Sequence, residues 1–343
     1  MQLTARSLAG IDASSARADI LAHIGALEGA IRTTAIFVEQ YSGLPLRLVV
    51  LPEYLFTSYP AGETIEGFAA RVGFAPDGPE YDALGKLAQR LGLYIAGNAY
   101  ETDQHFPGFY FQASFLIAPD GNVALRYRRL LSMFAPSPHD LWEAYLDRYG
   151  LDGVFPVADT ALGRIAAIAS EEILYPEIAR VFALRGAEIF VHSSSEIGSP
   201  LTTPKDIAKR ARAFENMAYV VSANTAGISG TPMPIASADG NSQIVDWRGK
   251  LVAQSLSGET YTAFAEIDLA ALRAARRRPA MTNMLARQRP QMFAEAFGAA
   301  AAAFQPPGAM LDDGGIATPP PRDYFRKAQE AVIDRLLRAD ILR

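Results

Sequence analysis

Three side chains whose types suit acyl-transfer chemistry stand at the ends of short apolar runs: Glu53, Arg129 and Ser170. Glu53 follows residues 46–51, a β-rich run halted by Pro52. That pattern sets a carboxylate at the carboxyl edge of a sheet, where α/β proteins form their ligand crevices. There it can act as a general base; capping the next helix or pairing with a surface arginine are the alternatives. Ser170 comes after the apolar residues 165–169 and before a helix-forming stretch. A strand-to-helix turn exposes a nucleophile and aims the next backbone N–H at an oxyanion, although a serine there also suits a helix N-cap. Arg129 closes the predicted strand 124–131, a position whose plain reading is a solvated edge charge.

Composition narrows the classes of function. With 343 residues, half of them apolar, the chain can bury one large core. A single α/β domain over 1–270 and a helical and loop-like tail over 271–343 are expected. The net charge is −5 and the one dense basic cluster, Arg276-Arg277-Arg278, lies within a helical stretch, so no nucleic-acid surface is expected. Asp12, Arg17, Asp19 and His23 interrupt the first thirty residues, and no uncharged apolar run of 18 residues follows. No signal peptide and no membrane partner are therefore expected, and the chain reads as soluble and cytoplasmic. Cysteine is absent, which removes disulfides and thiolate metal sites, and His23, His105, His139 and His192 form no pair at ligand spacing. Neither a metal nor another cofactor is called for.

The elements that must position the three side chains follow from periodicity. Helical spacing over 16–41 precedes the strand 46–51; a helix over 81–91, ended at Gly92, precedes strands at 93–99 and 111–118. Residues 119–122 form a turn, making the next strand the second arm of a hairpin. Strands at 165–169, 188–192 and 219–223 then alternate with helices over 175–185 and 204–218. Alternation with hairpin intrusions predicts layers around a mixed sheet. In the tail, 270–277 reads as helix, 296–304 is alanine-rich and 305–321 is loop-like. An amphipathic stretch over 324–342 carries a stripe of Ala328, Val332, Ile333, Leu336 and Leu337 suited to covering the core or a partner subunit.

Taken in order, Val49-Val50-Leu51-Pro52-Glu53, the turn Ala118-Pro119-Asp120-Gly121 leading to Tyr127-Arg128-Arg129, Tyr175-Pro176-Glu177, Arg185-Gly186-Ala187-Glu188, Arg212–Val220 and Gly240–Asp246 resemble the nitrilase, or carbon-nitrogen hydrolase, superfamily. The likeness covers about residues 1 to 270. It implies an α-β-β-α sandwich that dimerises through helices, here those at 175–185 and 205–218, with the tail placed at the subunit interface. It also implies attack by a cysteine on a nitrile or amide carbon, with a glutamate as base and a lysine stabilising the tetrahedral intermediate. Residue by residue the base falls on Glu53, the lysine on Arg129 and the cysteine on Ser170, with Glu143 matching a second glutamate of the family.

Two of those three positions are substituted. A serine hydroxyl is scarcely ionised at neutral pH and depends on its base, while an arginine cannot lose a proton and fills more space than an ammonium. Glu171 stands where the family commonly has an aromatic residue. Two readings follow: a hydrolase of a small amide or nitrile in which Arg129 binds the oxyanion or an acidic substrate's carboxylate, or an inactive relative in which Glu53 and Arg129 close into an ion pair and the pocket holds a small acid or the dimer serves a partner. Tyr54, Tyr59, Phe134 and Glu171 are placed around the substrate, with core packing the alternative for the aromatics, Phe56 included. Glu172 with Arg180 and Glu215 with Arg212 are the expected carboxylate pairings. A homodimer or larger homo-oligomer is the expected assembly.

Overall fold

The computed structural model describes residues 1–196, 203–235, 240–261, 263–312 and 315–343. After a short strand, β1 (Thr4–Arg6), the long helix α1 (Ala13–Ser42) starts at Asp12, whose carboxylate accepts the Ser15 N–H, and stops at Gly43, which takes a left-handed φ of 73°. Its buried residues, Ala16, Ile20, Ile24, Leu27, Ile31, Thr34 and Val38, recur every three or four positions and so line one face. The helix is long and apolar enough to cross a membrane by length and composition. That single stripe, packed on its neighbours, is what a core-covering helix needs.

The first sheet runs β2 (Leu48–Val50), β3 (Tyr94–Thr102), β4 (Tyr110–Ile117) and β5 (Val123–Arg128) in that order, with β2 parallel to β3 and the others antiparallel. Helices α1, α2 (Ile65–Val72) and α3 (Pro79–Leu91) cover its outer face. After α4 (Trp142–Val154) come β6 (Ala158–Thr160) and β7 (Gly163–Ala169), then α5 (Pro176–Leu184), β8 (Ile189–Ser194), α6 (Pro204–Asn216) and β9 (Tyr219–Asn224). A short β10 (Gly227–Ser229) pairs with β1, and β11 (Gln243–Val245) and β12 (Leu251–Gln254) finish a second sheet ordered β12-β11-β9-β8-β7-β6. Strands β7, β8 and β9 are parallel and their flanks antiparallel, so the sheet is mixed, as the alternation predicts. Outside it lie α5 and α6.

The sheets meet face to face. Val50, Ala96, Leu116, Leu125 and Tyr127 of the first pack on Ile165, Ala167, Ile189 and Val191 of the second. This is the expected four-layer α-β-β-α sandwich. The sequence reading missed α2 and α4: the eight residues of α2 bury only Ile65, Phe68, Ala69 and Val72, too short a run for periodicity to declare itself.

The tail begins with α7 (Leu269–Arg277), which buries Leu272 and pairs Arg273 with Glu188 at 2.6 Å. The next helix, α8 (Pro290–Ala300), buries no residue. Residues 305–321 include the two-residue strands β13 (Leu311–Asp312) and β14 (Gly315–Ile316), although 313 and 314 lie outside the described residues. Met310 and Phe325 join the first core, and Arg322 donates to the Tyr110 hydroxyl at 2.6 Å and the Phe134 carbonyl at 2.9 Å. In the last helix, α9 (Tyr324–Arg338), the predicted stripe divides: Ala328, Val332 and Leu336 are half-buried while Ile333 and Leu337 are exposed.

Candidate active site

Strand alternation decides which side chains of β4 and β5 face the sheet-to-sheet interior. Tyr127 and Arg129 point there, and Arg128 between them points to the helical side. The Arg129 N–H continues the ladder to the Gln112 carbonyl at 2.9 Å, which sets Gln112 beside Arg129. From the second sheet, β7 ends at Ala169, and Ser170 turns the chain into a 3-10 helix with φ of 48°. A non-glycine residue held in the left-handed region is strained, and such strain concentrates where a side chain must be presented. Glu53 arrives from the loop after β2, a segment that also holds Tyr54, Ser58 and Ala61 at positive φ.

These placements bring the three sequence-predicted residues together. The Ser170 hydroxyl donates to Glu53 Oε2 at 2.7 Å, and Arg129 stands 4.0 Å from Glu53 Oε1. Ser170 and Glu53 are 5 % and 1 % exposed, so the hydroxyl and the carboxylate meet away from bulk water. Burial pushes the Glu53 carboxyl above its ordinary pKa, while Lys205, Arg129 and the hydrogen bonds from Ser170 and Gln112 pull the other way. The Glu53 and Arg129 pair of the inactive reading is present only as a long contact of 4.0 Å rather than a closed fork. Gln112 lies between them, its amide nitrogen donating to Glu53 Oε1 and its oxygen accepting from Arg129 at 2.6 Å. Because a guanidinium only donates, this contact fixes the amide's orientation and leaves its NH2 for Glu53. Arg129 forms its close ion pair with Glu171 instead.

Other expected contacts resolve differently. Glu143 is exposed at the start of α4 with its carboxylate against Gly308 of the tail, and it does not join the Glu53, Arg129 and Ser170 cluster. The reason is that residues 132–141 form a loop and a one-turn 3-10 helix that turn α4 outward. Phe134 is 66 % exposed, on that same loop. Tyr54 and Tyr59 are half-buried, their rings in edge contact at 6.0 Å, and Tyr54 also faces Tyr100 at 6.4 Å. Phe56 belongs to the core, against Phe74 and Phe115. Glu172 does not pair with Arg180: it is buried, takes the Tyr127 hydroxyl at 2.7 Å, and accepts the Leu130 and Leu131 N–H groups at 2.8 and 2.9 Å. It thereby clamps the turn that carries Arg129. Glu215 does pair with Arg212, at 2.6 Å.

Sequence reading passed over Gln112 and His192. The His192 ring is buried, with Nε2 2.7 Å from the Ser170 carbonyl and Nδ1 2.8 Å from the Ser222 hydroxyl. Since the carbonyl can only accept, Nε2 carries the proton. Burial, reinforced by Lys209 and Lys205, lowers its pKa to about 3, so His192 stays neutral and acts as a brace for the strained turn. Neither residue had a signal beyond its place in an apolar run, because their role depends on which strands become neighbours. Among the described residues no group of three His, Asp or Glu converges to hold a metal ion. A cavity of about 510 Å³ lies elsewhere, between α1, β2, β9 and residues 263–267, and is lined by none of Glu53, Arg129 and Ser170.

A serine bonded to a buried carboxylate at a strained strand end, with a cation and an amide alongside, is an arrangement for acyl transfer. The carbon-nitrogen hydrolase family model matches residues 14–277, which is most of the chain. The chain belongs to the carbon-nitrogen hydrolase family. It is 25% identical over 205 residues to a probable nitrilase of Schizosaccharomyces pombe, covering 60% of this chain and 69% of that protein. It is 31% identical over 180 residues to a hydrolase from the pqqF 5′ region of Pseudomonas protegens, covering 52% of this chain and 59% of the relative, so it spans about six-tenths of that protein's length. A carbon-nitrogen hydrolase structure from Helicobacter pylori matches its fold with TM-score 0.63 at 20% identity, over 86% of this chain and 97% of that one. In this member of the family, which has no cysteine, Ser170 at the strained turn supplies the hydroxyl bonded to Glu53.

Proposed function

We propose that this protein hydrolyses a C–N bond of a small amide or nitrile through Ser170, with Glu53 as base. The observation that carries the reading is the 2.7 Å hydrogen bond from Ser170 Oγ to Glu53 Oε2 at a strained strand end. For an amide, Glu53 takes the hydroxyl proton as Oγ bonds to the carbonyl carbon, then returns it to the departing nitrogen as the C–N bond breaks. Glu53 next deprotonates the water that attacks the serine ester and passes that proton to Ser170 Oγ as the Oγ–acyl bond breaks and the acid leaves. Gln112 fixes the carboxylate's rotation, and Tyr54 and Tyr59 border the loop beside it. Incubation with electrophilic acyl probes followed by intact-mass spectrometry should give one adduct that disappears in Ser170→Ala. An unchanged mass at every probe concentration would remove the proposal.

A second reading is supported by the ion pair between Arg129 and Glu171: the pocket binds a small acid without turnover. The reversion Ser170→Cys with Arg129→Lys separates the two, since a parent already as active on amides as the double variant excludes the inert pocket. For assembly, the exposed Tyr175, Leu184, Ile207 and Phe214 on and beside α5 and α6 support pairing with a second copy. Sedimentation equilibrium reads the stoichiometry, and Ile207→Asp should shift it to monomer.

A further inference from the structure

The cation in the expected place is engaged elsewhere. Arg129 donates through Nε to the Leu131 carbonyl at 2.7 Å, through one terminal nitrogen to Gln112 at 2.6 Å and through the other to the Glu171 carboxylate. Its charge is matched by Glu171, and Glu53 Oε1 stands 4.0 Å off.

A second buried cation is anchored, from another layer, on the residue that holds the backbone of the same base. Lys205, in the first turn of α6, donates from Nζ to the Ser194 hydroxyl at 3.2 Å and the Ser195 carbonyl at 2.9 Å. Ser194 closes β8, and its carbonyl accepts the Glu53 N–H at 3.2 Å and the Thr225 N–H at 3.1 Å. The Thr225 hydroxyl reaches the Glu53 carbonyl at 2.8 Å. The lysine's anchor and the backbone of the base are therefore one hydrogen-bonded knot. Nearby Lys209 is taken by Asp206 at 3.4 Å, and Asp206 also accepts from Thr203, Asn241 and Gln243. Among the described residues no carboxylate lies within 4.0 Å of Lys205 Nζ, so this buried ammonium donates its hydrogen bonds to neutral acceptors.

We propose that Lys205 is the positioning cation of the site: carried on α6 and held by neutral acceptors, it keeps Glu53 ionised so that the carboxylate can take the Ser170 proton. Arg129 then serves as a strut between Gln112, Leu131 and Glu171. The groups bearing on Glu53 are Ser170, Gln112, Arg129, Lys205, Tyr54 and Tyr100, with Glu171 and Glu172 behind Arg129 and Glu196 beside Lys205. Arg129's charge is matched by the close Glu171 carboxylate, whereas Lys205, among the described residues, hydrogen-bonds to Ser194 and Ser195 alone, which leaves Lys205 the less compensated of the two. The consequence for catalysis rests on the hydrolase reading above, but the ionisation of Glu53 can be measured without turnover.

The test is a pH titration of the Glu53 carboxyl stretch by difference infrared spectroscopy of the full chain, using Glu53→Gln to assign the band. Lys205→Gln keeps donors for Ser194 and Ser195 and removes the charge; Lys205→Met removes both, so two differently shaped neutral variants are available. Both should move the Glu53 midpoint up by about one pH unit or more, and Lys205→Arg should restore it. Arg129→Gln should move it less. A midpoint unmoved in the neutral variants, or moved more by Arg129→Gln, overturns the proposal. If the parent forms no Ser170 adduct while the midpoint does move, the hydrolase reading fails and the role of Lys205 stands.

Discussion

Arg128 and Arg129 are adjacent in sequence, both buried, and opposite in role. Arg128 turns to the helical side, where its guanidinium donates to Glu101 at 2.8 and 3.1 Å and to Asp103 at 2.5 Å, and lies over the rings of Phe111, Tyr149 and Tyr145. Glu101 is further held by the Tyr81 hydroxyl at 2.9 Å and by Arg126. Two carboxylates and three rings around one guanidinium make a closed structural knot. Arg129 turns inward to an amide, a carbonyl and the part-exposed Glu171, with the base at 4.0 Å. What separates a structural arginine from one at the proposed active site is therefore the degree to which its neighbours saturate it. The same contrast divides their acids: Glu101 is enclosed by cations, whereas the Glu53 carboxylate is buried and, among the described residues, accepts hydrogen bonds from Ser170 and Gln112 alone.

The contrast can be broken or sharpened by substitution. The largest effect belongs to the reacting hydroxyl: Ser170→Ala should abolish the acyl adduct and lower kcat/KM by about a thousandfold or more. Adduct formation at the parental rate in that variant would detach the site from the chemistry. Next comes stability. Arg128→Met leaves Asp103 buried without its cation and Glu101 with Arg126 alone, and should cost about 3–5 kcal/mol in urea unfolding. Arg129→Met should cost clearly less, because Glu171 is 38% exposed and regains water, while activity falls. Equal unfolding costs would erase the distinction drawn between the two arginines.

Glu53→Gln should lower kcat/KM by about a hundredfold or more and, at neutral to alkaline pH, raise the melting temperature. The sign follows from linkage. A carboxyl whose folded pKa is raised above its unfolded value leaves stability whole below the unfolded pKa and reduces it as pH rises through the folded pKa. The melting-temperature gain should accordingly shrink as pH falls toward the ordinary glutamate range, and a gain constant with pH would contradict a raised Glu53 pKa. For the same reason parental activity should fail on the acid side earlier than an ordinary glutamate would allow. The smallest effect is expected at Glu143, exposed against Gly308: Glu143→Gln should keep kcat/KM within about twofold, and a larger loss would return it to the site.

Much of the architecture was legible because burial imposes periodicity. The stripe of α1, the strands 94–102 and 110–117 and the Asp120-Gly121 turn are each written in local pattern, and the strand-to-helix turn at Ser170 could be located from the apolar run before it. Glu143 was misplaced because sequence order places a residue between two others without saying whether the intervening loop turns inward. Gln112, His192 and Lys205 escaped notice because each lies within a strand or helix whose pattern is explained by packing alone.

The sequence by itself determined the layers, the three chemically suited residues and the lack of any thiol, since composition and hydrophobic spacing are properties of the linear chain. Only the tertiary structure decided which charges meet. It inserted Gln112 between Glu53 and Arg129, gave Arg129 to Glu171, and brought Lys205 on α6 to the backbone knot of Glu53. Those choices depend on strand order, sheet-on-sheet packing and side-chain alternation, which set distances of a few ångströms between residues far apart in the chain, and electrostatics acts over that range.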